Sequence, residues 1–296
     1  MTKEEILLKL QADLELRGRS KETIRNYVMK ARLFQDHYGK PADQMGEDEV
    51  AAYLHYLLTE KQNGQSSVNT HNSALRFLYG VTLDAVLNYK KLPRLKQVRS
   101  LPVLFTKDEV RRIIDSAETL THKALLMLAY GSGLRLSEIT NLKVSDIDSA
   151  NMRLFIRKGK GGRDRYAMLP EATLKVLREY WLKNHPKGWL FIAPKTGGQY
   201  HMRTVQDAFK SALKRSKVTK YGTVHTLRHC FATHLLEDGN DLYSIKKLLG
   251  HVRIDTTVWY AQLADSKVLK LKSPIDSFSD NPMEEPEAKL ESGDAE

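Results

Sequence analysis

Four short stretches of this 296-residue chain set charged and nucleophilic side chains at spacings that suit work on a phosphate group. In YGSGLRLSEI (130–139), two glycines follow an apolar run, and Arg135 precedes Glu138 by three residues. A helix resuming there puts the pair on one face, and the glycines let backbone pass close to a ligand; a surface ion pair fits the same letters. In RKGKGGRDR (157–165), glycines alternate with Lys158, Lys160, Arg163 and Arg165. The spacing of a nucleotide phosphate loop is absent. A basic hairpin of this kind can enter a DNA groove with a lysine reaching a phosphate, or it can be a solvated turn. In HTLRHCFATHLL (225–236), His225 and Arg228 are three apart near an expected helix N-terminus, which itself favours phosphate. His229 and His234 are read as falling elsewhere on the wheel and as packing histidines, Cys230 as a small core residue, and zinc is disfavoured because no His-x-x-x-His pair is read at this helix start and no acidic ligand lies nearby. In LLGHVRIDTTVWY (248–260), Leu249-Gly250 reads as a helix end and Asp255-Thr256-Thr257 as a new start. His251 then lies in the turn and Tyr260 one short stretch beyond it. Taken alone, both could simply pack.

Together, in order and spacing, these blocks resemble the tyrosine recombinases: phage-type integrases, Xer-type recombinases and their transposon and integron relatives. The resemblance rests on GSGLRLSEI, GKGGRDR, HTLRH, the LLGH turn and a tyrosine nine residues after His251. The segment SKETIRNYVMKARLFQDHYG (20–39) is similar to that family's core-binding domain, KLKSPID (270–276) resembles integron-type relatives, and the likeness spans roughly residues 5–275. It implies Tyr260 as a nucleophile forming a 3′-phosphotyrosyl link, with Arg135 and Arg228 on the non-bridging oxygens. It implies Lys160 as general acid, since the family's lysine stands between the glycines of GKG, with Lys158 the rival. His225 would assist proton transfer or hold the phosphate, His251 would hydrogen-bond it, and Glu138 would orient Arg135 or His225. The partners implied are double-stranded DNA with an inverted-repeat core site and three further copies, a homo-tetramer on two duplexes passing through a Holliday junction. No cofactor, ATP or metal is expected, because arginines, a lysine and histidines supply the positive charge. The competing readings are a type IB topoisomerase, which uses the same constellation, and a non-catalytic DNA-binding regulator; a helix-turn-helix repressor is a poorer match.

The elements that must position these residues are mostly helical. Thr2-x-x-Glu5 is a capping box ahead of Ile6, Leu7 and Leu10. Ser20 can cap a second helix striped by Ile24, Tyr27, Val28 and Ala31 and ended by Gly39 and Pro41. Val50, Leu54, Leu57 and Leu58 stripe a third, and Ser66 or Ser67 opens a fourth carrying Leu75 and Leu78. Residues 1–88 thus read as a helical domain, which the resemblance implies is the SAM-like core-binding domain, with Arg19, Lys21, Arg25, Asn69, Asn72 and Arg76 as candidate DNA contacts or ordinary surface. Residues 89–105 hold two prolines and the unopposed bases Lys91, Arg94, Lys96 and Arg99, a basic linker suited to a clamp on DNA. A catalytic domain spans 106–276, opening at the capping box Thr106-x-x-Glu109. Its only strand signals lie in 143–169, where Leu154 and Ile156 alternate, glycines turn the chain, and Tyr166 and Met168 alternate. The expected fold is mainly α with a small antiparallel β-sheet, a helical domain plus a mixed α/β catalytic domain.

Charge and composition agree. The net charge is +11, with 41% hydrophobic residues, enough for a sizeable core. Residues 1–90 balance twelve bases against twelve acids, whereas 280–296 hold seven acids and one base, which leaves the middle of the chain strongly basic. Such a body implies a polyanionic partner. The tail 277–296 reads as disordered. No apolar run reaches the roughly 18 residues of a membrane span. Acids at the N-terminus argue against export, and a single cysteine excludes an internal disulfide; a cytoplasmic location is expected.

Overall fold

A computed structural model of the chain describes residues 1–88, 90–96, 103–157, 164–194 and 196–250. Lys158, Lys160, Arg163, Arg99, His251, Tyr260, the expected helix start at 255–257 and the acidic tail lie outside the described residues. The chain divides into two units, Met1–Ser100 and Leu101–Glu296.

In the first unit, α1 (Lys3–Leu16) begins at the predicted capping box, with Thr2 accepting from the Glu5 amide and Glu5 reaching back. α2 (Lys21–Tyr38) is capped by Ser20 and stops at Gly39, whose φ of 69° is the left-handed conformation that ends helices. α3 (Glu47–Thr59) follows. α4 (Gln65–Phe77) starts from Gly64, two or three residues before the serines expected to open it, and runs on through a π-type turn, Leu78–Thr82. Ile6, Leu10, Leu14, Phe34, Val50, Tyr53, Leu75 and Tyr79 fill the core between them. Leu58, expected on the buried stripe of α3, is exposed, and Tyr53 takes that place, edge-on to Phe34 at 5.3 Å. Each fully buried leucine stabilises by about 1.5–3 kcal/mol, more than the ~1 kcal/mol of a side-chain cap. Packing therefore holds the helices, and the caps decide where they begin.

The second unit opens at Thr106, whose capping box with Glu109 starts α5 (Lys107–Asp115). Next come α6 (Leu120–Gly131), α7 (Leu136–Thr140), the strands β1 (Ile147–Asp148), β2 (Arg153–Ile156) and β3 (Arg165–Met168), then α8 (Glu171–Asn184), α9 (Met202–Arg215), α10 (Val224–Glu237) and α11 (Leu242–Leu249). The strands form one antiparallel sheet in the order β1-β2-β3, with Leu154 opposite Ala167 and Ile156 opposite Arg165. α6, the most apolar stretch of the sequence, lies at the centre and packs against α8, α9 and α10.

One expectation about the sheet is corrected. Tyr166 and Met168 face outward, and Ala167 is the buried residue of β3. Side chains alternate in a strand, so the phase that turns Ala167 inward also turns Arg165 inward, opposite the buried Ile156. Outside, Tyr166 lies under the Arg153 guanidinium at 4.2 Å and against Phe155 at 5.3 Å. Aromatic residues satisfied by a cation on an exposed face imitate the alternation of a buried one.

Candidate active site

The site forms where α6, α7, β3, α10 and α11 meet. α6 ends in Gly131-Ser132-Gly133. Gly133 has φ 60°, and a Cβ built there would lie 2.4 Å from the Phe231 ring. The glycine read as making room for a ligand makes room instead for α10. This close approach aims the Gly133 carbonyl at Arg228, which donates to it. Arg228 also donates to the Leu249 carbonyl at 2.7 Å and is buried to 1% exposure. A buried guanidinium needs partners for its donors. Carbonyls at the ends of two helices answer that need, since helix C-termini carry unpaired carbonyls and partial negative charge.

Arg135 occupies the N-cap position of the five-residue α7. Its backbone N–H donates to Glu138 Oε2 at 2.8 Å and its guanidinium to Glu138 Oε1 at 2.7 Å, so the expected i,i+3 pair is made. Arg165 arrives from β3 and grips the same carboxylate bidentately, both contacts at 2.9 Å, while its Nε donates to the Leu248 carbonyl at 3.1 Å. Arg228 stands 3.7 Å from Glu138 Oε2. Three guanidiniums thus converge on one carboxylate that is 6% exposed. Burial pushes the Glu138 carboxyl up, but the hydrogen bonds and charge of Arg165, joined by Arg135, outweigh it and hold the pKa at about 2. The carboxylate stays ionised, and the cluster keeps an excess of positive charge fit to hold an anion.

His225, in the first turn of α10, is exposed, and its ring meets His229 edge-on at 4.8 Å. Burial lowers His229 to about 4, helped by the charges of His225 and Arg228, so it is neutral at pH 7. One expectation is corrected here: His225 and His229 do form a His-x-x-x-His pair at the helix start, with the i,i+4 spacing of a metal pair. No group of three or more His, Cys, Asp or Glu placed to hold an ion occurs among the described residues. His234 is buried and bonds the Tyr130 hydroxyl at 2.9 Å through Nδ1. Cys230 is fully buried, accepts from the Phe105 N–H at 3.3 Å, and has its thiol raised to about 11 by burial.

The residues read as DNA contacts in the first unit divide. Arg19, Lys21 and Arg25 are exposed at the start of α2. Asn69, Asn72 and Arg76 face the expected linker. Asn69 exchanges hydrogen bonds with the backbone of Leu95, Asn72 donates to the carbonyls of Leu92 and Pro93, and Arg76 donates to Leu92 and to Asn72 Oδ1. Leu92 is buried in the first core. Lys91 pairs with Glu47 at 2.8 Å, and Arg94 and Lys96 are exposed. The role of Arg165 beside Glu138 was missed, because a base in a glycine-rich stretch reads as a surface residue. The signal was available in the strand phase, since Arg165 lies two residues before Ala167.

Comparison with known proteins agrees with this geometry. Residues 104–267 match the model of the phage integrase family, and residues 6–88 that of the phage integrase N-terminal SAM-like domain. An integrase/recombinase of Sinorhizobium fredii is 37% identical over 269 residues, covering 90% of this chain and 87% of the relative. The tyrosine recombinase XerA of Pyrococcus horikoshii is 34% identical over 272 residues, covering 88% and 89%. Among solved structures, a lambda integrase tetramer bound to a Holliday junction superposes with a TM-score of 0.70 at 21% identity, covering 93% of this chain and 80% of that one, a likeness of fold. The chain belongs to the phage integrase family and is a tyrosine recombinase, an enzyme of site-specific recombination. No helix among the described residues is long and apolar enough to cross a membrane.

Proposed function

We propose that the protein breaks and rejoins DNA at a specific core site through Tyr260, with Arg135 and Arg228 holding the scissile phosphate. The observation that supports this reading is the convergence of Arg135 and Arg228 on Glu138 beside the C-terminal end of α11. Only ten residues follow from Gly250 to Tyr260. The Tyr260 hydroxyl attacks phosphorus, a bond forms between its oxygen and phosphorus, and the bond from phosphorus to the 5′-oxygen breaks. The phenol proton passes to His225 or to water, and the leaving 5′-oxygen takes a proton from Lys160, with no change of oxidation state. The 5′-hydroxyl of a partner strand then reverses the step, which keeps the phosphodiester energy. The arginines stabilise the charge that grows on the non-bridging oxygens. His225 and His251 add hydrogen bonds to the phosphate.

The partner is double-stranded DNA carrying an inverted-repeat core, to which the domain of residues 1–88, the basic stretch 89–105 and the domain of 106–276 each contribute contacts. Strand exchange needs four copies on two duplexes; the lambda integrase structure is that of a tetramer bound to a Holliday junction. The test is a nicked duplex built on the core sequence recovered by binding selection from random-sequence duplexes. Wild type is expected to form a covalent complex stable in a denaturing gel, and Tyr260→Phe to bind the duplex but form none. A covalent band from the Phe variant would overturn the assignment of the nucleophile. Binding by wild type without any covalent band would favour a non-catalytic regulator, and relaxation of supercoiled DNA without strand exchange a type IB topoisomerase.

A further inference from the structure

We propose that Arg165 is a positioning residue for strand cleavage, holding Glu138 and the end of α11 in one register. The inference rests on the recombinase reading above and adds a residue whose own contacts are with protein. Each of the three guanidinium nitrogens of Arg165 donates to a fixed point. Two go to the two oxygens of Glu138 and the third to the carbonyl of Leu248. Glu138 in turn holds the backbone and the guanidinium of Arg135. Leu248 precedes Leu249, whose carbonyl holds Arg228. One side chain therefore ties the first clamp arginine to the second, and ties both to the point where the chain departs for His251 and Tyr260.

Gly250 completes the seat. It adopts φ 62°, and a Cβ there would lie 2.6 Å from Arg165 Cδ and 2.9 Å from its Nε. The guanidinium is anchored, so the middle of the side chain has little room to yield. The glycine is needed both for the left-handed turn and for Arg165 to pass beneath it. Lysine cannot replace this arginine, because a single ammonium on a flexible stem cannot span both carboxylate oxygens and a carbonyl. Without the fork, Glu138 keeps Arg135 and has Arg228 within 3.7 Å, so the carboxylate is drawn onto the second clamp arginine.

Three full-length variants, Arg165→Lys, Gly250→Ala and Lys160→Ala, would be compared with wild type on the nicked duplex described above. A second version of that duplex carries sulfur in place of the bridging 5′-oxygen; the sulfur leaves as a thiolate and needs no general acid. Arg165→Lys is expected to bind DNA with the affinity and salt dependence of wild type. It should form the covalent complex about 10²-fold more slowly, the cost typical of a misplacement near 1 Å, on both substrates. Gly250→Ala should slow cleavage in the same way without changing a charge. Lys160→Ala should be slow on the oxygen substrate and recover on the sulfur one. Recovery of Arg165→Lys on the sulfur substrate would place its effect on the proton donor and overturn the proposal. A loss of DNA-binding affinity would make Arg165 a phosphate contact and overturn it too, as would wild-type cleavage rates. If wild type forms no covalent complex on either duplex, it is the recombinase reading that has failed.

Discussion

Glu138 brings a negative charge to a place where three guanidiniums meet, and its ionisation is a stability statement as well as a catalytic one. Its carboxyl ionises at about 2 in the folded chain, well below the ordinary 4.5. A depressed acid contributes stability that is complete above the unfolded pKa and lost as pH falls through the folded one. The contribution is about 3 kcal/mol at neutral pH, and it disappears between about pH 5 and pH 2. Glu138→Gln is therefore expected to be less stable than wild type at pH 7 by roughly that amount, with the gap shrinking as the pH is lowered from 5. Urea unfolding across this range measures it, and a gap that stays constant would show that the loss is one of shape. Arg228 has the opposite character. Its charge is buried on two carbonyls, so losing it removes structure and chemistry together, whereas Arg135, bonded within its own short helix, is the cleaner place to probe the phosphate clamp.

At the scale of elements, the site depends on helix ends more than on helix middles. The carbonyls at Gly133 and Leu249 follow α6 and end α11, and both turns are made by left-handed glycines. Gly133→Ala puts a side chain into the Phe231 ring and into a φ that alanine resists, so it is expected to destabilise by more than about 1 kcal/mol. It should also slow cleavage, because the carbonyl that seats Arg228 must move. Thermal unfolding beside the covalent-complex assay checks both; an active and stable variant would mean that the turn is not what places the arginine. Much of this was legible in the sequence. The caps at Thr2, Ser20 and Thr106, the stop at Gly39 and the stop at Gly250 are local signals, set by a few neighbouring atoms, and each element starts or ends there. The phase of β3 was not legible, because Tyr166 and Met168 look like a buried pair until Arg153 and Phe155 are seen covering the tyrosine. The cost of that one-residue error was the inward direction of Arg165, and with it the organisation of the site. Asn69, Asn72 and Arg76 carry a similar ambiguity. Polar side chains on one helix face signal a partner, but not whether that partner is DNA or the protein's own backbone.

For the whole molecule, the distribution of charge is the governing quantity. Residues 1–90 carry no net charge, and the excess of bases lies beyond them. Binding of duplex DNA is accordingly expected to weaken steeply with salt, as counterions displaced by the second unit and the basic connector return to the phosphates. Fluorescence anisotropy from low to physiological salt measures the slope. A flat response would contradict a basic clamp, and a slope unchanged on removing the first unit would place the phosphate contacts in the second.

The lone thiol ties these scales together. Cys230 stands on α10 between His229 and Phe231, two residues after Arg228, and the backbone of Phe105 seals it. Buried, and ionising only near 11, it is closed to alkylating reagents while the helix stays packed. Its rate of labelling is therefore a built-in clock for the opening of the catalytic helix, readable in a single mass measurement, and the slowing of that clock when DNA is added counts how much of the site's rigidity the substrate supplies.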